Sequence, residues 1–210
     1  MRAPSSRLRL PLALAALVAS ACVSLPKPEP VELFTIDLRF EGGPPAGSGP
    51  VLLVSAPRAG PGLGGPRMAY LKQPHQLQYF ARSQWVEPPA RLLGPLLARA
   101  LERTGRFQAV TELALGASPG LRLESEVVRL QQEFTERPSR VRLTLRLELV
   151  DVLAHRIIGT REFEAVEPAP SEDAAGGAAA ANAAARRVLE EAAAWCAEQG
   201  DRWRGPPAGG

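Results

Sequence analysis

The chain has 210 residues, enough for one domain of ordinary size, and 45% of them are hydrophobic. The formal net charge of +3 arises from Arg2, Arg7 and Arg9 near the N-terminus, so the 22 remaining basic residues balance the 22 acidic ones. A balanced charge, with no cluster of Lys or Arg interleaved with aromatic residues, excludes a nucleic-acid-binding protein.

The first 21 residues are predicted to be a secretory signal. The three arginines come first, followed by an apolar run over residues 10–19 and then the small residues Ser20 and Ala21. This order is typical of a cleaved signal. The apolar run is also shorter than the ~20 residues that a helix needs to cross a membrane.

Cys22 follows those small residues directly, in the stretch LALAALVASAC. The stretch resembles a bacterial lipobox, in which the signal is cut before a cysteine that carries a diacylglyceryl group. A lipobox usually has Leu three residues before the cysteine, where this chain has Ala19. We expect lipidation at Cys22, because several acyl chains on one residue are enough for stable anchoring. The alternative is an ordinary cleaved signal with an incidental cysteine.

Residues 22–32 are predicted to be an extended tether, because proline recurs at every second position in LPKPEP. The residue after the cysteine is Val23. In bacteria that resemble the enterics, Asp at this position retains a lipoprotein in the inner membrane. Val23 therefore favours the outer membrane, with the protein facing the periplasm.

Residues 33–199 are predicted to form a single α+β domain. The apolar patterns predict strands over residues 33–40, 51–55, 68–71, 76–80, 107–110, 121–130, 141–150 and 156–166. Strands grouped beside two helices favour an antiparallel-rich sheet with both helices packed on one face.

Proline and glycine mark the first predicted helix. Pro88 and Pro89 open it and Gly105 ends it. Pro95 lies inside this pattern, so the helix either bends there or begins at Gly94.

The last helix is predicted to be capped by Ser171 and to end near Gln199. Gly176 and Gly177 each weaken its first turns by ~1 kcal/mol relative to alanine. Residues 200–210 are expected to be a disordered tail, apart from a docking contact of Trp203.

The stretch YLKQPHQLQYFARSQWVEPPARLL resembles the ABC-type transport auxiliary lipoprotein family. The matching residues are Tyr70, Pro74, Leu77, Tyr79, Trp85, Pro88, Pro89, Leu92 and Leu93. Further resemblances are Gly105-x-Phe107, Val150-Asp151, Asn182 and Trp195. Members of this family are periplasm-facing lipoproteins encoded with MCE-type proteins and ABC transporters, in systems that are thought to move lipids between the two membranes.

The resemblance implies partners: an MCE-domain protein and the ABC permease and ATPase of the same system, besides the membrane. The sequence does not decide whether the protein forms a homo-oligomer. A docking or scaffold role is favoured, because the two helices cover the leucine face of residues 141–149 and leave no lipid cavity. The alternatives are a carrier that binds phospholipid directly and an envelope assembly lipoprotein unrelated to ABC transport.

The sequence predicts no enzyme, no cofactor and no metal site. His75 and His155 lie in separate turns, and no HExxH, GxSxG or P-loop pattern occurs. If Cys22 is lipidated, Cys196 has no second cysteine with which to form a disulfide. It is then predicted to be a small buried residue. Tyr79 and Trp85 are candidate residues of a partner surface. The alternative is that they pack the first helix against the sheet.

Overall fold

The computed structural model describes residues 30–40, 42, 46–113 and 119–205. The chain separates into two units, Met1–Pro30 and Val31–Gly210, and every described element lies in the second. The strands are β1 (Glu32–Phe34), β2 (Val51–Val54), β3 (Arg58–Ala59), β4 (Arg67–Leu71), β5 (Leu77–Trp85), β6 (Ala109–Thr111), β7 (Leu121–Glu133), β8 (Arg140–Asp151) and β9 (Arg156–Pro168). The helices are α1 (Pro89–Glu102) and α2 (Ala174–Arg202).

Strand β7 lies at the centre of the sheet, which has nine strands in the described part of the chain. One of its edges pairs with β8 in antiparallel fashion, and β8 pairs in the same way with β9. The other edge pairs in succession with the short parallel strands β2, β3 and β4. Strand β6 extends the sheet beyond β2, while β5 and then β1 extend it beyond β4.

The predicted fold class is confirmed, because the long pairings are antiparallel and two helices accompany one sheet. The short parallel pairings were not predicted. Helix α1 lies in the connection from β2, β3 and β4 to β7, and a parallel pair needs a crossover of this kind.

The core lies between the sheet and the two helices. Alternate residues of β8 point into it, and none is more than 2% exposed: Val141, Leu143, Leu145, Leu147 and Leu149. Helix α2 packs on β8 and β9, and α1 packs on α2. The buried face of α2 is mostly alanine, with Val188 and Leu189 as its fully buried larger residues. The small side chains let the helix lie close to the leucine layer.

The first strand is shorter than predicted. Over residues 33–40 the alternation is correct, since Ile36 and Leu38 are buried, but the ladder with β5 ends at Phe34. Beyond it the backbone is held by Asn182 of α2. The Asp37 N–H donates to Asn182 Oδ1 at 2.8 Å, and Asn182 Nδ2 donates to the Thr35 carbonyl at 3.1 Å. The Asn182 side chain thus makes hydrogen bonds of the kind that a neighbouring strand would make.

Other boundaries also differ from the sequence prediction. Strand β5 continues to Trp85, and β6 occupies residues 109–111 in place of 107–110. Helix α1 begins at Pro89 and runs through Pro95, so the alternative start at Gly94 is wrong. Gly105 follows the helix with φ of +61°, as a terminating glycine does.

Both ends of α2 differ from the prediction. The N-cap is Asp173 and not Ser171: Asp173 Oδ1 accepts from the Gly176 N–H at 2.8 Å, and the Ser171 hydroxyl donates to the same oxygen at 2.6 Å. The helix also continues to Arg202, beyond the predicted end at Gln199, and Gly200 in this last turn is buried against Phe107. Residues 206–210 of the predicted tail lie outside the described residues.

Trp203 docks on the body of the domain, as expected from the sequence. Its indole N–H donates to Asp151 Oδ2 at 3.0 Å, and its ring lies against Gly120, where a Cβ would be 2.6 Å from the ring. Among the described residues, no helix is long and apolar enough to cross a membrane.

Candidate functional surface

The two residues predicted to form a partner surface differ in their burial. Trp85 is 3% exposed and belongs to the hydrophobic core, next to Met68 and Leu130, so its position fits the packing alternative. Tyr79 is half-buried on the same strand. Cys22 lies outside the described residues, and its lipidation stays a prediction.

Two contacts hold the side chain of Tyr79 in place on the β4–β5 hairpin. Its hydroxyl donates to the Gly62 carbonyl at 2.9 Å, and the guanidinium of Arg67 lies 3.8 Å from the centre of its ring. Arg67 is exposed. The ring and the cation together form a rigid, partly apolar surface patch, of the kind that protein interfaces often use.

The sheet offers one free edge near this patch, on β5, and another at its far end, on β9. Strand β1 pairs with β5 only at Ser83, Gln84 and Trp85. No described strand pairs with residues 77–81 on that edge of β5, and none pairs with the outer edge of β9. An unpaired edge can accept a strand from a partner.

Three aromatic rings form a cluster near Tyr79 that was not predicted from the sequence. The ring of Tyr70 lies 4.8 Å from that of Phe80 and 5.9 Å from that of Phe134, between ring centres. Phe80 and Phe134 are 6.3 Å apart. These are ordinary distances for tilted and edge-to-face pairs, which stabilise one another beyond simple burial.

The cluster forms one wall of an open groove of about 590 Å³. We call it the aromatic groove; its residues are Tyr70, Lys72, Tyr79, Phe80, Ala81, Phe134, Arg137 and Glu172. Tyr70 pairs in register with Gln132, which is buried beneath Gly177 of α2. The groove therefore lies on the helix side of the sheet, next to the start of α2.

The sequence signal for this cluster is weak. Tyr70 belongs to the stretch that carries the family resemblance, whereas Phe134 lies in the polar connection after β7. The two meet only because β4 pairs in parallel with β7, so that the Phe134 N–H donates to the Leu71 carbonyl at 2.8 Å. A long-range parallel pairing of this kind is not visible in local periodicity.

The opposite face of the sheet carries paired charges. Arg142 donates to Glu133 at 2.9 Å and also to Glu164, which accepts from the Thr144 hydroxyl at 2.8 Å. Burial raises the pKa of Glu133, but hydrogen bonds from Arg142 and Gln131 outweigh it and hold that pKa below its usual value. The charges satisfy one another, as on a solvated sheet face.

Catalytic chemistry finds no support among the described residues. His75 and His155 are exposed and lie in different turns, with φ of +66° and +51°. No group of three metal-ligating side chains occurs in the described part of the chain. Cys196 is fully buried, and burial raises the pKa of its thiol, which makes it a poor nucleophile.

The family model for the ABC-type transport auxiliary lipoprotein component matches residues 40–193. The chain belongs to this family. The match covers most of the folded domain, from the end of the first extended segment to the last third of α2. No curated protein matches the sequence as a relative.

Solved structures support the same fold. Protein XCC0632 from Xanthomonas campestris has a TM-score of 0.72 and 24% identity, over 82% of this chain and 98% of its own. An uncharacterised protein has a TM-score of 0.62 and 14% identity, over 81% and 99%. Protein CT253 from Chlamydia trachomatis has a TM-score of 0.52 and 8% identity, over 73% and 97%. At these identities the likeness concerns the fold alone.

Proposed function

We propose that this protein is the outer-membrane lipoprotein of an ABC/MCE-type system that transports lipid between membranes, and that it faces the periplasm as a docking or scaffold partner. The observation that carries the proposal is the family match over residues 40–193. The lipobox-like sequence before Cys22 supplies the anchor, and Val23 favours the outer membrane. The partners are an MCE-domain protein and the ABC permease and ATPase.

The packing of the domain favours docking over carriage of lipid. The sheet's buried face is filled by leucines and covered by α1 and α2. A void beside Met68, Trp85 and Gly177 measures only about 10 Å³, which is room for roughly one water molecule. The aromatic groove is open, and its size is that of a small-molecule pocket. Neither space encloses two acyl chains.

The docking surface that we propose is the edge of β5 around Tyr79. Residues 77–81 present backbone groups to which no described strand is paired, and Tyr79 with Arg67 stands beside them. Trp85 supports the same strand from the core side. A partner strand added at this edge would gain main-chain hydrogen bonds together with an aromatic and cationic contact.

The lipid content of the purified protein tests the docking role against the carrier alternative. We expect the lipidated chain, extracted in mild detergent and denatured, to release far less than one phospholipid per chain by mass spectrometry. A soluble periplasmic lipid-binding protein, purified in the same detergent, is the control. One tightly held phospholipid per chain would establish a carrier and contradict the docking role.

A further inference from the structure

The aromatic groove combines two exposed cations with an aromatic wall. Lys72 and Arg137 lie at the groove, and neither forms a salt bridge within the described residues. Glu172 is the acidic side chain there, and its Oε1 already accepts the Ser139 N–H at 2.8 Å. The groove therefore has one positive charge in excess, which a ligand with a single negative charge would neutralise.

The hydrogen-bonding capacity of the groove is also specific. The Tyr70 hydroxyl donates to Gln78 Oε1 at 2.8 Å, and the Tyr79 hydroxyl is engaged by Gly62. The donors that remain for a ligand are the ammonium of Lys72 and the guanidinium of Arg137. A guanidinium matches the geometry of phosphate oxygens, and lysine adds a flexible point charge.

The apolar part of the groove indicates a lipid and not a small free anion. The rings of Tyr70, Phe80 and Phe134 line it, with their centres 4.8–6.3 Å apart. Aromatic side chains beside basic ones are typical of surfaces that meet the headgroup region of a membrane. A free phosphate ion would gain nothing from these rings.

We propose that the aromatic groove binds the phosphodiester headgroup of a monoanionic phospholipid in the membrane surface. Lys72 and Arg137 contact the phosphate, and Tyr70, Phe80 and Phe134 contact the glycerol and the first carbons of the acyl chains. A groove of about 590 Å³ takes this part of the lipid and leaves the chains in the bilayer. Such an open contact exchanges freely, so it orients the domain without carrying lipid away.

Calorimetric titration of the full lipidated chain in a non-ionic detergent tests the proposal, with the detergent blank subtracted. The probes are dihexanoyl phosphatidylglycerol, dihexanoyl phosphatidylcholine and inorganic phosphate. We expect the phosphatidylglycerol to bind at least tenfold more tightly than either of the others. The double variant Lys72→Ala/Arg137→Ala should bind it about 30-fold more weakly, at roughly 1 kcal/mol for each basic residue.

The matched control is Arg39→Ala/Arg99→Ala, which removes two exposed cations elsewhere on the domain. It should bind the phosphatidylglycerol like the wild type. Equal losses in the two double variants would show a general charge effect and overturn the proposal. Equal affinity of the wild-type protein for the two lipids would also overturn the proposal. Phosphate binding as tightly as the phosphatidylglycerol would show that the groove is a small-anion site and not a lipid site. The partner interactions of the proposed function do not enter this measurement.

Discussion

Replacement of Gly176 by alanine is expected to lower the free energy of unfolding by about 1–3 kcal/mol, although alanine is the better helix former. A Cβ on residue 176 would overlap the carbonyl oxygen, the amide nitrogen and the hydroxyl of Ser171. These are mainly backbone atoms of the turn in which Ser171 bonds to the capping residue Asp173. Relief of the overlap therefore requires movement of the cap itself.

Urea unfolding followed by circular dichroism measures this effect, with Gly65→Ala as the control. A Cβ on Gly65 would meet no atom within 4 Å, so its substitution should change stability by less than about 0.5 kcal/mol. Gly177→Ala should resemble Gly176→Ala, because its Cβ would overlap Oε1 of the buried Gln132, whose Nε2 is bonded to Ser139 at 2.9 Å. A neutral or stabilising Gly176→Ala would contradict this packing.

The second large effect is expected for Asp151→Asn. The buried carboxylate accepts hydrogen bonds from the Ala154 N–H and the Trp203 indole, each at 3.0 Å, and lies 3.6 Å from Arg156. An amide preserves the shape but loses the charge, and its NH2 group replaces one of the two acceptor oxygens; hydrogen bonds to charged groups contribute about 1.5–3 kcal/mol. We expect Asp151→Asn to lower stability by about that amount at pH 7.

The pH dependence of stability shows whether the charge of Asp151 causes this loss. Burial raises the pKa of Asp151, but the bonds from Ala154 and Trp203 and the charge of Arg156 together hold it below its usual value. The folded state thus binds fewer protons than the unfolded state in acid, and the stabilisation is lost as pH falls below about 4. The gap between wild type and Asp151→Asn should narrow over that range, while Asp37→Asn, at an exposed position, should leave stability nearly unchanged. A gap independent of pH would exclude a role for the charge.

Local sequence patterns predicted the long elements well, because their signals lie within the elements themselves. From Arg140 to Leu149, β8 alternates polar with apolar residues without interruption, and α1 shows both its opening prolines and its terminal glycine. The class of fold follows from such elements. The family resemblance rested on the stretch from Tyr70 to Leu93, and it is confirmed by the match over residues 40–193.

The features that local patterns missed depend on contacts between distant residues. The segment after Phe34 looks like a strand, yet the Asp37 N–H and the Thr35 carbonyl bond to Asn182 of α2. Gly176 and Gly177 read as weak points of a helix, whereas the packed helix has no room for a side chain at either position. The aromatic groove likewise exists only after β4 has paired with β7.

Crosslinking in cells is the most direct test of the proposed role. The chain, tagged at its C-terminus, would be crosslinked, solubilised in mild detergent and purified, and the co-purified proteins identified by mass spectrometry. The variants are Cys22→Ala, which removes the proposed anchor, and Cys196→Ala, which removes only the buried thiol. We predict recovery of an MCE-domain protein and ABC components with the wild type and with Cys196→Ala, and much less with Cys22→Ala. Recovery of none of these components, with Cys22→Ala behaving like the wild type, would contradict both the anchor and the transport partnership.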